Sequence, residues 1–221
     1  MAAFHPRMED LPQEFPVFPL PNVLLLPRGK LPLNIFEPRY LAMTEDALGQ
    51  GRMFGMIQPD PTGPTTANGP SLFRIGCLGR LSSFGETDDG RYLITLTGVI
   101  RFAVVAEIDM RRGYRRVSGD YSSFFDDLDV EPKPIDVSRE ALLSALQSYF
   151  THRGFNANWD AVKRLPDDLL VVTLAMVCPF EPAEKQALLE ADTEADRAEA
   201  LLALLQMGAL APDGQGKRSI S

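Results

Sequence analysis

The chain has 221 residues, of which 45% are hydrophobic and 24% are charged, so it is long enough to bury a sizeable core as one large domain or two small ones. This composition excludes wholesale disorder. Thirty acidic and 22 basic residues give a formal net charge of −8, which disfavours binding to phosphate backbones and to anionic lipid.

Several sequence features favour a cytoplasmic location. Cys77 and Cys178, the two cysteines, lie far apart, which argues against a disulfide framework or a zinc site and predicts buried thiols in a reducing compartment. The N-terminus contains an acidic pair and prolines where a secretory signal would need a basic start and an apolar run. The longest apolar stretch, residues 169–178, is too short to span a bilayer, so we expect no membrane association.

The first half of the chain predicts a β-rich lobe at residues 15–125, preceded by a flexible N-terminus at residues 1–14. Prolines recur between short apolar runs, at positions suited to sheet edges and loops. Alternating apolar residues in the stretch 92–108 predict long antiparallel strands. One helix is predicted near residues 38–48, because Pro38 suits a first helical position.

The second half predicts a helical subdomain. An acidic segment with two prolines at residues 126–137 predicts a linker. Residues 138–207 predict four helices from their start signals, which are Ser138, Pro166, Pro182 and the capping box that begins at Thr193. Residues 208–221 are polar and predict a flexible tail. The predicted fold class is therefore α+β, with a β lobe followed by an α-helical bundle.

The sequence offers no recognisable catalytic, metal-binding or cofactor-binding constellation. The two histidines, His5 and His152, have no Glu or His at the spacing of a zinc-binding helix. Residues 214–219 (GQGKRS) look like the end of a phosphate-binding loop, but Ala211 stands where its first glycine should be. A Ser-Lys dyad is disfavoured because no lysine lies in an apolar sequence setting that would lower its pKa. We therefore predict no catalytic residue, no metal and no cofactor.

The clusters of charged residues can be interpreted either as structural or as binding groups. The paired carboxylates, Asp126-Asp127 among them, are interpreted as structural groups in turns or at helix starts. A basic cluster surrounds a predicted hairpin turn and is either a solvated turn or the lip of an RNA- or nucleotide-binding protein, which the acidic net charge disfavours. This cluster consists of Arg111, Arg112, Tyr114, Arg115 and Arg116.

A densely patterned stretch near the N-terminus carries a family resemblance. The segment FPLPNVLLLPRGKLPLNIFEPRYLAM at residues 18–43, with the later motifs Phe54-Gly55-Met56 and Gly98-Val99-Ile100-Arg101-Phe102, resembles the N-terminal domain of Lon proteases. More narrowly, it is similar to stand-alone bacterial members that lack the ATPase and protease modules. The resemblance covers residues 15–205 and implies a twisted, β-barrel-like lobe similar to PUA domains, followed by a helical bundle.

The resemblance also implies polypeptide binding without proteolysis. In full-length Lon this region helps to select and hold substrate proteins. We therefore expect a non-catalytic module that binds unfolded or extended polypeptides in an apolar groove near the junction of the two lobes. It either holds client proteins or acts as a proteolysis adaptor, whose partner is Lon or another cytosolic protease. The candidate binding residues are Asn34, Phe36, Glu37, Arg39, Tyr40, Phe54 and Arg101.

The motif at residues 35–40 has two interpretations. In the structural one, Glu37 and Arg39 fix the following helix through buried hydrogen bonds, and Phe36 and Tyr40 pack beneath it. In the other, the same side chains contact a client polypeptide. Asn34 departs from the family pattern, since many stand-alone relatives have His there, which puts in doubt any role that needs a titratable ring.

Overall fold

The computed structural model of the protein describes residues 6–129 and 137–210. Parts of three predicted segments lie outside the described residues: residues 1–5 of the N-terminus, residues 130–136 of the linker and residues 211–221 of the tail. A 3-10 helix, Met8–Asp10, precedes the first strand. The predicted boundaries of the linker and of the two terminal segments stay predictions.

The first lobe is built from six main strands and one helix. The sheet order is β2-β7-β6-β3-β1-β8, and an additional pairing of β7 with β8 closes it into a barrel. The strands are β1 (Glu14–Pro19), β2 (Lys30–Ile35), β3 (Met53–Ile57), β6 (Ile75–Glu86), β7 (Tyr92–Arg111) and β8 (Tyr114–Asp120). A small ladder of β4 (Thr65–Thr66) and β5 (Gly69–Pro70) lies outside the barrel, and α1 (Pro38–Gly49) follows β2.

The length of β7 gives the barrel a projecting end. The second half of β7 pairs with β8, whereas residues 92–97 pair with β2 on one side and with β6 on the other. The pairing of β3 with β6 stops at Met53 opposite Arg80, so residues 82–86 of β6 extend past β3. Strands β2, β7 and β6 therefore form a three-stranded tip beyond the closed barrel.

Close packing of aromatic rings on glycine shapes the barrel interior. Phe15 and Phe102 meet edge to face with ring centroids 4.8 Å apart. A Cβ added to Gly76 would lie 2.5 Å from the Phe102 ring, so only glycine allows this approach. Other fully buried residues of this cluster include Val17, Leu78, Ile100 and Val117. The predicted β core is confirmed.

The helical lobe packs beside the barrel. Ser138 caps the first of its helices by accepting a hydrogen bond from the Ala141 amide at 3.1 Å. The helices are α2 (Arg139–Arg153), α3 (Trp159–Arg164), α4 (Asp167–Val177), α5 (Pro182–Glu190) and α6 (Glu194–Leu210). The predicted α+β architecture is confirmed, but the helix count was wrong: residues 137–210 contain five α-helices rather than four. The missed helix, α3, has only six residues, and the Asn158 side chain caps it by accepting a hydrogen bond from the Ala161 amide.

A second hydrophobic cluster joins the two lobes. It runs from Phe18, Leu25 and Met43 in the β lobe to Leu146 and Leu201 in the helical lobe. Both cysteines are buried, as predicted. None of the described helices is long and apolar enough to cross a membrane.

Candidate functional site

The motif at residues 35–40 forms the corner between β2 and α1. Ile35 ends β2 and is buried, and Pro38 is the first residue of α1. Tyr40 is buried against Phe18, with the two ring centroids 4.0 Å apart. This part of the structural interpretation agrees with the observed packing.

The rest of the motif lies at the surface. Phe36 has 62% of its surface exposed, so the expectation that it packs beneath the helix was wrong. Arg39 donates from Nε to Glu37 Oε2 at 3.0 Å, but both side chains are about half exposed. The expected buried hydrogen-bond network is therefore a solvated ion pair, because Arg39 lies on the solvent side of the first turn of α1 while Tyr40 points inward. The Arg39 guanidinium also lies 4.5 Å from the centre of the Tyr40 ring.

Phe36 belongs to a group of exposed apolar side chains at the end of the β2-β7-β6 sheet, which we call the apolar tip: Phe36, Phe84 and Leu93. Their exposed fractions are 62%, 42% and 51%. Phe84 shares one sheet face with Tyr92, whose ring centroid is 5.0 Å away. Leu93 points to the opposite face, where it lies across from Asn34. The tip thus presents apolar surface on both faces of the sheet.

Two predicted binding residues lie elsewhere. Phe54 on β3 is fully buried in the core between the lobes. Arg101 on β7 is 5% exposed and holds the Asp127 carboxylate with two hydrogen bonds, from Nε to Oδ2 at 2.9 Å and from Nη2 to Oδ1 at 3.0 Å. A bound polypeptide would not reach either side chain. The structure therefore brings Asn34, Phe36, Glu37 and Arg39 together at one corner and separates Phe54 and Arg101 from them.

Arg101 is the centre of a polar contact between the lobes, which we call the seam. Its Nη1 also donates to the Leu189 carbonyl at 3.2 Å, and Nη2 donates to the Asp192 carbonyl at 3.4 Å, so it satisfies orphan carbonyls in the last turn of α5 and just after it. Arg197 of α6 is buried too and donates from Nε to the Leu188 carbonyl at 2.9 Å. Burial, together with the nearby Arg101 charge, lowers the pKa of Arg197 to about 10. The seam fixes the helical lobe to the barrel.

The sequence interpretation missed these buried charges. Asp127 had been placed in a linker, but it lies in a 3-10 helix, Phe125–Leu128, that packs against β7. Lys185 is also buried and donates from Nζ to the Asn22 carbonyl at 2.9 Å, and burial lowers its pKa, so the prediction that no lysine has an apolar setting was wrong. Helical spacing could have shown part of this, because Arg197 precedes the buried Leu201 by four residues.

The basic hairpin contacts α1 through ion pairs. Arg111 and Arg112 pair with Asp46 and Glu45 of α1, and their guanidinium groups are thereby partly neutralised. Tyr114 is buried rather than available for stacking, and its hydroxyl donates to Asp46 Oδ2 at 2.6 Å. That hydrogen bond is the largest cause of the lowered pKa of Asp46, while burial raises the pKa of Tyr114 to about 12.

The other two arginines of the hairpin are also paired. Arg115 is buried and binds Glu107, from Nε to Oε2 at 3.1 Å, and Arg116 donates to Glu14 Oε2 at 3.2 Å. Carboxylates from α1, β1 and β7 thus pair with all four guanidinium groups of the hairpin, and the alternative of an RNA- or nucleotide-binding lip stays a prediction. Among residues 6–129 and 137–210, no group of three or more His, Cys, Asp or Glu side chains could hold a metal ion.

Comparison with known proteins gives a consistent result. A family model for the ATP-dependent protease La (LON) substrate-binding domain matches residues 14–207. The crystal structure of a Lon N-terminal domain protein from Xanthomonas campestris superposes with a TM-score of 0.56 and 25% sequence identity, covering 86% of this chain and 97% of that one. The N-terminal domain of a Lon protease from the Mycobacterium avium complex shares the fold, with a TM-score of 0.53, 16% identity and coverage of 89% and 97%.

Full-length Lon proteases align with this chain over only a small part of their own length. Lon protease 2 of Myxococcus xanthus is 27% identical over 97 residues, which are 44% of this chain and 12% of that protease. The chain thus aligns with a small fraction of the length of the curated protease. The family match spans both lobes of the fold, from β1 to α6. The chain therefore belongs to the family of Lon substrate-binding domains.

Proposed function

We propose that the protein is a non-catalytic module that binds unfolded or extended polypeptides at the apolar tip and acts in the cytoplasm as an adaptor that holds clients for Lon or another protease. The observation that carries this proposal is the exposure of Phe36, Phe84 and Leu93 on both faces of one sheet end. Covering exposed apolar groups with an apolar segment of another chain removes them from water and therefore favours binding. Family membership supports the same function.

The charge distribution supports a binding mode dominated by apolar contacts. The cations nearest the tip are already paired, since Arg91 Nε lies 2.9 Å from Asp89 Oδ2 and Arg39 lies beside Glu37. The Arg91 guanidinium also lies 6.0 Å from the Phe36 ring. Polypeptide affinity should therefore change little with ionic strength, whereas binding to RNA would fall steeply.

Fluorescence anisotropy with a labelled, permanently unfolded protein tests the binding function. The double variant Phe36→Ser/Leu93→Ser should lose about tenfold or more in affinity, because it removes two apolar contacts. The matched control Val105→Ser/Met207→Ser changes two residues that are equally exposed, on β7 and on α6, and should bind as the wild type does. Equal affinity of all three proteins would reject the tip as the binding site.

Degradation assays test the adaptor role. Purified protein should neither hydrolyse ATP nor cleave casein, and added metal should not change this. When Lon is present, the protein should change the rate at which an unfolded client is degraded, and the tip double variant should not. Proteolysis that survives repurification and disappears on mutation of one serine would overturn the non-catalytic assignment.

A further inference from the structure

Strand β2 is the terminal strand of the six-stranded sheet. It pairs along one edge with β7, from Lys30 opposite Thr97 to Ile35 opposite Tyr92. In the part of the chain that the structure describes, no strand pairs with its other edge. Lys30, Pro32 and Asn34 are exposed, so this edge is open to solvent.

The register shows which main-chain groups point outward. The Gly98 amide donates to the Gly29 carbonyl at 2.8 Å, just before β2 begins. Because hydrogen-bonded and non-bonded pairs alternate in antiparallel ladders, residues 31, 33 and 35 bond to β7, and residues 30, 32 and 34 turn their amides and carbonyls away from it. The position of Pro32 agrees, since a proline has no N–H to give to β7.

The open edge has a defined chemistry. It offers two amides, from Lys30 and Asn34, and three carbonyls in line, because Pro32 contributes only an acceptor. On one face of the strand, Leu31 and Leu33 are half-buried and pack against the core between the lobes. Lys30 lies on the other face and makes no ion pair with any of the described residues.

We propose that the polypeptide is bound as an additional β-strand along the outer edge of β2. This inference rests on the proposed function and names its substrate class: an extended segment of about five residues in which apolar and polar side chains alternate. Its apolar side chains cover Leu31 and Leu33, and a carboxylate at one end pairs with Lys30. The main-chain hydrogen bonds make binding tolerant of sequence, and the apolar tip at the end of the edge adds contacts through Phe36.

Pro32 limits the strength of this pairing. A proline in the middle of an exposed edge removes one hydrogen-bond donor, which also protects the edge from pairing with a second copy of the chain. The bound segment therefore lacks one hydrogen bond that an uninterrupted edge would form, and its release is correspondingly faster.

Three synthetic peptides separate this binding mode from polypeptide binding in general. All three have the same alternating apolar and acidic side chains. One is unmodified, and the other two carry N-methyl groups on alternate amides, one peptide for each register. We expect the unmodified peptide to bind and at least one methylated version to lose about tenfold or more in affinity. Equal binding of all peptides would overturn strand addition and leave the proposed function intact. No binding by any peptide or by the unfolded protein would overturn both.

Restoring the missing donor gives the opposite effect. Pro32→Val should bind the unmodified peptide about fivefold more tightly, because it adds one main-chain hydrogen bond. Pro61→Val, the same change in an exposed loop, should leave the affinity unchanged. On binding, hydrogen exchange should slow at the amides of Lys30 and Asn34. Unchanged or weaker affinity of monomeric Pro32→Val would overturn the proposal.

Discussion

The seam buries charged side chains, whereas the apolar tip exposes apolar ones. At the seam, the side chains of Arg101, Asp127 and Arg197 are charged and buried, and carbonyls of the helical lobe accept hydrogen bonds from the two guanidinium groups. At the tip, Phe36 and Leu93 are apolar and exposed. Burying a charge is costly unless it is paired, and exposing an apolar group forgoes the gain of burial.

The difference shows which region serves the fold and which is free to bind. At the seam Arg101 has partners from distant parts of the chain, so removing it leaves the Asp127 carboxylate buried without its partner. The tip side chains contribute little to folding, so changing them should affect binding alone. The following variants test this separation.

The largest loss of stability is expected at the seam. Arg101→Ala should lower the free energy of unfolding by about 3–5 kcal/mol, because it leaves the Asp127 carboxylate buried and uncompensated. Denaturant unfolding followed by circular dichroism measures this. A loss no larger than that of an exposed arginine would contradict the account of the seam.

Within the motif at residues 35–40, two aromatic residues should behave differently. Tyr40→Ala removes a buried ring that packs on Phe18 and should cost about 3–5 kcal/mol of stability. Phe36→Ala should leave the melting temperature close to that of the wild type and weaken polypeptide binding. A normal melting temperature for Tyr40→Ala would show that the ring is a contact site rather than part of the core.

A smaller, pH-dependent effect is expected at the basic hairpin. The hydrogen bond from Tyr114 and the nearby arginines lower the pKa of Asp46 below its unfolded value of about 4. Its contribution to stability is therefore present above about pH 4 and is lost as the pH falls through the folded pKa. Asp46→Asn should show a shallower loss of stability in acid, measured by urea unfolding across this range. Asp109→Asn controls for the loss of one surface charge.

The smallest effect is expected for Arg39→Ala. The pair with Glu37 is about half exposed, so its loss should cost less than about 1 kcal/mol. This small effect differs from the one expected for a buried hydrogen-bond network at Glu37 and Arg39. Thermal unfolding in low and high salt measures it, and a large loss that persists in high salt would restore the buried interpretation.

The sequence predicted most of the fold because local signals act over a few residues. Alternation predicted β7, and start signals such as the N-cap Ser138 and the first-turn Pro182 predicted helix starts. The seam could not be predicted in the same way, since Arg101 and the Leu189 carbonyl lie 88 positions apart and meet only after both lobes have formed. Phe36 was among the predicted binding residues, but Phe84 and Leu93 were missed for a related reason: alternation marks them as strand residues but does not show that β3 stops short of this end of the sheet.

Photo-crosslinking tests the central claim, that polypeptide binds at the tip and edge and not at the seam or on the helices. An unfolded client that carries diazirine groups is bound to the wild-type protein and irradiated, and the linked residues are identified by mass spectrometry. We predict crosslinks concentrated in residues 30–36 and 84–93. Crosslinks concentrated in the helical lobe, at residues 139–210, would contradict the account.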